Sequence, residues 1–205
     1  MKILAATRSA GKQREIRRIL DASELEVVFP GDIWLRESSA GDPVELGDSF
    51  EANARHKAEY FVRLSSLPTF ADDSGLEVFS LGGAPGVRSK RWAGASGSEE
   101  EVDRANNAEL LRRLAGAPAS SRLARYRCVL YFLPSFGAVP TICQGDCNGR
   151  ILDQPRGSRG FGYDPYFFSD ELGKTFGEAT DEEKDSVSHR GRALRALAQT
   201  LGGER

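Results

Sequence analysis

Residues 70–78 read FADDSGLEV. An apolar start stops at two adjacent carboxylates, Asp72 and Asp73, and an apolar end resumes after Ser74 and Gly75. As a strand, this stretch sends successive side chains to opposite faces, so the two acids point apart and one of them faces a pocket directly. Asp73, next to Ser74 and the expected turn, is the candidate reactive acid. On composition alone DDSG is equally an ordinary surface turn. The expectation is a strand ending at its acids, with metal or acid/base chemistry at that end.

Upstream, residues 2–6 (KILAA) are a short apolar run, followed by the loop TRSAGK and by QREIRRIL, where Ile16, Ile19 and Leu20 fall at helical spacing. A strand, loop and helix in this order turn backbone N–H groups and the positive helix end towards an anion, with Thr7, Ser9 and Lys12 as side-chain donors. The loop is not a Walker A motif, because its glycine spacing differs and Gln13 follows Lys12. A plain surface lysine at a helix start is the competing reading of Lys12. Residues 25–29 (LEVVF) read as a second strand, and residues 30–46 as an irregular connection. Asp48 or Ser49 caps the next helix, with Glu51 as a capping-box partner. On that helix Phe50, Asn53, Lys57, Phe61 and Leu64 form one stripe, so a lysine and an asparagine interrupt an apolar face. Lys57 either snorkels to water or meets an anion.

Downstream, residues 81–94 (LGGAPGVRSKRWAG) read as a loop carrying Arg88, Lys90 and Arg91. Residues 99–114 form a helix with Val102, Ala105, Leu110, Leu111 and Leu114 on its apolar face. Residues 125–133 and 138–147 read as a strand pair that serves the core and nothing more. In residues 149–168, Gly157, Gly160 and Gly162 surround Phe161, Tyr163 and Asp164. Glycines let a backbone approach a ligand, and an aromatic ring stacks on a base for about 1–3 kcal/mol. Residues 182–202 read as a loop and then a helix capped by Ser188, with Leu194, Leu197 and Leu201 on its apolar face. His189 and Arg190 in its first turn oppose the helix dipole unless each meets a specific contact. The sum is an α/β protein with a mixed central sheet flanked by helices, expected as one domain over residues 1–205.

Net charge is −2, from 28 basic and 30 acidic residues, so no basic surplus draws the chain to nucleic acid or an anionic membrane. No apolar run approaches the roughly 20 residues that span a bilayer. Cys128, Cys143 and Cys147 are an odd set, and neither His56 nor His189 stands at zinc-ligand spacing from them. With no signal peptide in the first residues, the expectation is a soluble, cytoplasmic protein with reduced cysteines.

A hydrolase acting on polyphosphates needs a divalent cation, an activated water and positive charge for the phosphates. Carboxylates suit Mg2+, and Asp73 with Glu45 is the candidate ligand pair, while Lys12 and Lys57 complete the cradle. The blocks ILAATRSAGKQREI, SFEANARHKA, FADDSGLEVFSLGGAPGVRSKRWAG, PRGSRGFGYDPYFF and GKTFGEATDEEKDSVSHRGRAL together resemble the inosine triphosphate pyrophosphatase family, also called XTP/dITP diphosphatases. The resemblance implies Mg2+-dependent hydrolysis of ITP, dITP and XTP to the monophosphate and pyrophosphate. It also implies an elongated homodimer with its active site in a cleft between two lobes. Carried over by matching blocks, Thr7, Arg8, Ser9, Ala10, Gly11 and Lys12 hold substrate, Lys57 meets the phosphates and Asp73 is metal ligand and proton acceptor. Ser74 contacts substrate, Phe161, Gly162, Tyr163, Asp164 and Lys184 bind the nucleoside, His189 and Arg190 read the base, and Glu45 joins the metal. Two positions depart from the family pattern: Ser9 stands where an asparagine is usual, and so does Asp185. A phosphatase releasing orthophosphate and a nucleotide-binding regulator without catalysis are the alternative readings.

Overall fold

The computed structural model describes residues 1–35 and 47–202. Its elements in chain order are β1 (Lys2–Ala5), α1 (Ala10–Leu20), β2 (Glu26–Val28), α2 (Phe50–Ser65), β3 (Thr69–Val78), α3 (Glu99–Arg113), β4 (Leu123–Leu133), β5 (Thr141–Ile151), β6 (Phe167–Ser169), β7 (Lys174–Thr175), α4 (Asp181–Val187) and α5 (His189–Gly202). Seven strands form one sheet in the order β2-β1-β3-β4-β5-β6-β7. β1 pairs in parallel with β2 and β3, whereas β6 is antiparallel to β5 and β7, so the sheet is mixed as expected.

β3 does not end at its acids. It runs unbroken for ten residues through Asp72, Asp73, Ser74 and Gly75. The expected turn fails for a physical reason: β3 lies inside the sheet, between β1 and β4, and Phe70, Ala71, Leu76 and Val78 are all buried. A turn there would strand backbone groups away from water. The segment read as a loop after β3 contains two short 3-10 helices, Phe79–Leu81 and Gly86–Arg91.

The chain divides into two compact units. The first comprises Met1–Asp73, Cys128–Gly145 and Gly191–Arg205, and the second Ser74–Arg127 and Asp146–Arg190. In the first unit, alternation along the strands builds two apolar layers. Ile3 and Ala5 of β1, Phe70 of β3 and Cys128, Leu130 and Phe132 of β4 pack with Ile16 and Leu20 of α1 and Leu194 and Leu197 of α5. Leu4, Ala71, Tyr131 and Leu133 take the other side, against Ala54, Ala58, Phe61 and Val62 of α2. Ser49 caps α2 by accepting from the Ala52 N–H, and the helix stops at Ser66, whose left-handed backbone returns its N–H to the Val62 carbonyl. The second unit has one core, in which Leu76 and Val78 of β3 meet Leu110 of α3, Tyr126 of β4, Ile151 of β5 and Phe167 of β6.

The region read as a loop before the last helix holds α4. Its signal is a capping box: the Thr180 hydroxyl accepts from the Glu183 N–H while the Glu183 carboxylate accepts from the Thr180 N–H. Ser188 separates α4 from α5 and closes α4 by donating its N–H to the Lys184 carbonyl. Among the described residues no helix is long and apolar enough to cross a membrane.

Two outcomes are expected. Leu130→Ala, in the core of the first unit, lowers stability by about 2–5 kcal/mol, read as a fall in the urea midpoint. The Glu183 carboxylate is held below the usual range, first by the hydrogen bond from Lys174 Nζ and then by the Thr180 N–H. Its contribution is therefore complete above the unfolded value of about pH 4.3 and is lost as pH falls through the lower folded value. Glu183→Gln is expected to unfold at less urea than the parent at neutral pH, the difference vanishing in acid; a gap independent of pH would contradict the assignment.

Candidate functional site

In the first unit, the two acids of β3 meet the helices on either side. Asp72 Oδ2 lies 3.0 Å from Lys12 Nζ, on the first turn of α1. Asp73 Oδ2 accepts from Asn53 Nδ2 of α2 at 2.9 Å, and its Oδ1 stands 3.7 Å from Lys57 Nζ. That ammonium donates to the Asp72 carbonyl at 2.6 Å. Asn53 is itself oriented, since its Oδ1 accepts the Gly47 N–H at 2.8 Å. Both carboxylates are buried, at 2% and 3% exposure. Buried charges persist where they are paired and hydrogen-bonded, and here two acids face two ammonium groups.

The expected phosphate loop lies between β1 and α1. Ser9 occupies the N-cap of α1, with its N–H on Thr7 Oγ1 at 3.3 Å and no capping bond from its own side chain. Ala10 and Gly11 open the helix, and Gln13 fixes the loop by donating to the Thr7 carbonyl. Arg8 turns elsewhere: it donates to the Leu35 carbonyl and lies 5.9 Å from the Phe61 ring centroid. Glu45, the expected second metal ligand, lies outside the described residues. Among the described residues no group of three or more His, Cys, Asp and Glu side chains is gathered for a metal ion.

The second unit holds the remaining candidates, organised around Asp164. Its Oδ2 accepts from Lys184 Nζ at 2.6 Å and from the Phe161 N–H at 2.8 Å, and its Oδ1 accepts from the Tyr126 hydroxyl at 3.4 Å. Burial, and then the Asp164 charge, push the Tyr126 hydroxyl well above its usual range, so it stays a donor. Lys184 Nζ lies 4.9 Å from the Phe161 ring and Arg190 5.9 Å from it. Arg190 donates to Ser74 Oγ at 2.7 Å. His189 stacks flat on Tyr126, with centroids 4.6 Å apart and 7° between planes. These contacts supply what the dipole argument demanded of two potential cations at the start of α5. Tyr163 donates its hydroxyl to the Ser89 carbonyl, and Gly162 is gripped by Asp103 and Asn107 of α3.

Sequence reasoning therefore named most of this cluster but missed Tyr126. Residues 125–133 are rich in aromatic and branched residues, so a tyrosine among them reads as core. Asp103 and Asn107 were also missed, although two residues of poor helix propensity inside a helix were a signal.

The sequence profile of the Ham1 family matches residues 3–200. A protein of Lactobacillus acidophilus named dITP/XTP pyrophosphatase is 42% identical over 203 residues, covering 98% of this chain and 96% of its own. One of the same name from Halorhodospira halophila is 42% identical over 205 residues, covering 100% and 98%. The solved structure of a HAM1 protein from Coxiella burnetii superposes with a TM-score of 0.85 at 33% identity, covering 99% of each chain. With residues of both units inside the match, and relatives this similar along nearly the whole length, the chain belongs to the Ham1 family.

Proposed function

We propose that this chain hydrolyses non-canonical purine nucleoside triphosphates, namely ITP, dITP and XTP, to the monophosphate and pyrophosphate, and so cleanses the nucleotide pool. The observation that carries the reading is the near-full-length likeness to proteins named dITP/XTP pyrophosphatase. Residues 1–205 act in it as one catalytic domain, a view supported by a single family profile that spans residues of both units.

In this reading water adds to the polyphosphate, the bond between the first and second phosphates breaks, and the released proton passes to a base. Asp73 orients the water and takes its proton. Lys57, Lys12 and the backbone of the Thr7 to Lys12 loop, that of Arg8, Ser9, Ala10 and Gly11 included, hold the phosphate oxygens. Lys12 and Lys57 are already engaged with β3 acids, so a triphosphate enters by competing for cations held in place.

Mg2+ needs hard oxygen ligands and is bound by one or two carboxylates together with substrate phosphates and water. Asp73 suits that requirement as a hard-oxygen carboxylate held in place by Asn53; Glu45 is proposed as the second ligand. When bound, the metal offsets phosphate charge and lowers the pKa of a bound water.

Ser74 contacts substrate, and Phe161, Gly162, Tyr163, Asp164 and Lys184 hold the nucleoside, with Phe161 as the stacking face. His189 and Arg190 read the oxygen at position 6 of the purine. Guanine shares that oxygen, so rejection of GTP falls to position 2, where a polar group left without its partner is costly. The family resemblance also supports a homodimer, to be read by light scattering, and three buried free thiols support a cytoplasmic setting.

A panel of ITP, dITP, XTP, GTP and ATP with Mg2+ tests the proposal. The first three are expected to give pyrophosphate at far higher kcat/KM than GTP or ATP, with activity lost on chelation and restored by Mg2+. Asp73→Asn is expected to lower kcat by about 10²–10⁴-fold. Orthophosphate as product, turnover of GTP equal to ITP, or full activity of Asp73→Asn would each defeat it.

A further inference from the structure

Helix α3 is built unlike the other long helices. Along EEEVDRANNAELLRR only Asn106 and Leu110 are buried, and three of its side chains are spent on backbone groups of other segments. Asp103 Oδ2 accepts the Gly162 N–H at 2.8 Å, and Asn107 Nδ2 donates to the Gly162 carbonyl at 2.9 Å. The two stand four residues apart, one turn along the same helix face. Asn106 anchors the opposite flank: its Oδ1 accepts the Ala93 N–H at 2.9 Å and its Nδ2 donates to the Lys90 carbonyl at 3.0 Å. Asp and Asn are poor residues for a helix interior, so three of them in five positions cost the helix stability that these contacts offset.

The contacts at Gly162 act on its neighbour. The peptide before Phe161 is fixed, because its N–H donates to Asp164 Oδ2. The peptide after Phe161 is fixed by Asp103, and the next one by Asn107. With the planes on both sides held, the backbone dihedrals of Phe161 are set, and with them the direction in which its half-buried side chain leaves the loop. Gly162 sits at φ +63°, a backbone region that side chains disfavour, so the clamp and the glycine specify the same loop shape.

We infer that Asp103 and Asn107 are positioning residues that aim Phe161 at the purine, setting nucleoside affinity without acting on the phosphoanhydride step. The inference rests on the reading of Phe161 to Asp164 as the nucleoside-binding loop. It adds α3, none of whose own residues is proposed to touch substrate, to the machinery of specificity.

Kinetics of the full chain with ITP and Mg2+ test it, together with competitive inhibition by IMP, which carries the base, and by inorganic tripolyphosphate, which lacks it. Asp103→Ala and Asn107→Ala are each expected to raise KM for ITP and the inhibition constant of IMP by about tenfold, with kcat within about twofold and tripolyphosphate inhibition unchanged. Asp103→Asn keeps an acceptor oxygen and is expected to recover most of the parent KM. Melting curves establish that the assayed variants are folded, and the ratio of the two inhibition constants separates loop aim from general loosening. The inference is overturned if kcat falls while KM holds, if both inhibitors weaken together, or if Asp103→Asn is as impaired as Asp103→Ala. A parent that releases no pyrophosphate from ITP would instead defeat the functional reading beneath it.

Discussion

A strand that buries two consecutive carboxylates obliges both faces of its sheet to answer. Each ion taken out of water costs several kcal/mol unless a partner and hydrogen bonds compensate it, and alternation prevents one helix from serving both. α1 brings Lys12 to Asp72, while α2 brings Asn53 and Lys57 to Asp73. The two helices are divided accordingly. α2 sets Ala54, Ala58, Phe61 and Val62 against the apolar layer, and Asn53 and Lys57, each one position earlier, face the acid. The stripe that looked interrupted in the sequence is two adjacent stripes with different tasks.

A second carboxylate organises the other unit. Asp164 gathers an ammonium from α4, a backbone N–H from its own loop and a hydroxyl from β4, so three separate stretches of chain converge on one side chain. The loop accepts this only with glycine at position 160, where φ is +76° and an added Cβ would run into the Asp164 carboxylate. Phe161 is thereby presented from a loop pinned at its centre as well as at its ends.

What the sequence made legible was periodic or capped. The apolar runs of β1 and β3, the stripe of α2 with Ser49 before it, and the leucines of α5 were all readable. α4 escaped because seven residues offer no apolar period, and only the capping box at Thr180 and Glu183 marked it. The continuity of β3 escaped for the opposite reason: Asp, Ser and Gly are turn residues in isolation, and only the strands on either side decide otherwise. In the candidate site, residues with unusual chemistry for their position, such as Lys57, His189 and Arg190, were identifiable. Tyr126 was not, because a tyrosine on a buried strand face has the same sequence signature whether or not its hydroxyl meets a buried carboxylate.

The paired acids also bear on how β3 finds its place. Its flanks carry Phe70, Ala71, Leu76 and Val78, so a shift of one position against β1 would still bury apolar surface. The same shift would turn Asp72 towards α2 and Asp73 towards α1, exchanging every cation partner and setting Phe70 among the alanines of α2. Adjacent charges with partners on opposite faces thus act as a key for strand alignment: the mispaired sheet is penalised electrostatically where hydrophobicity alone would tolerate it.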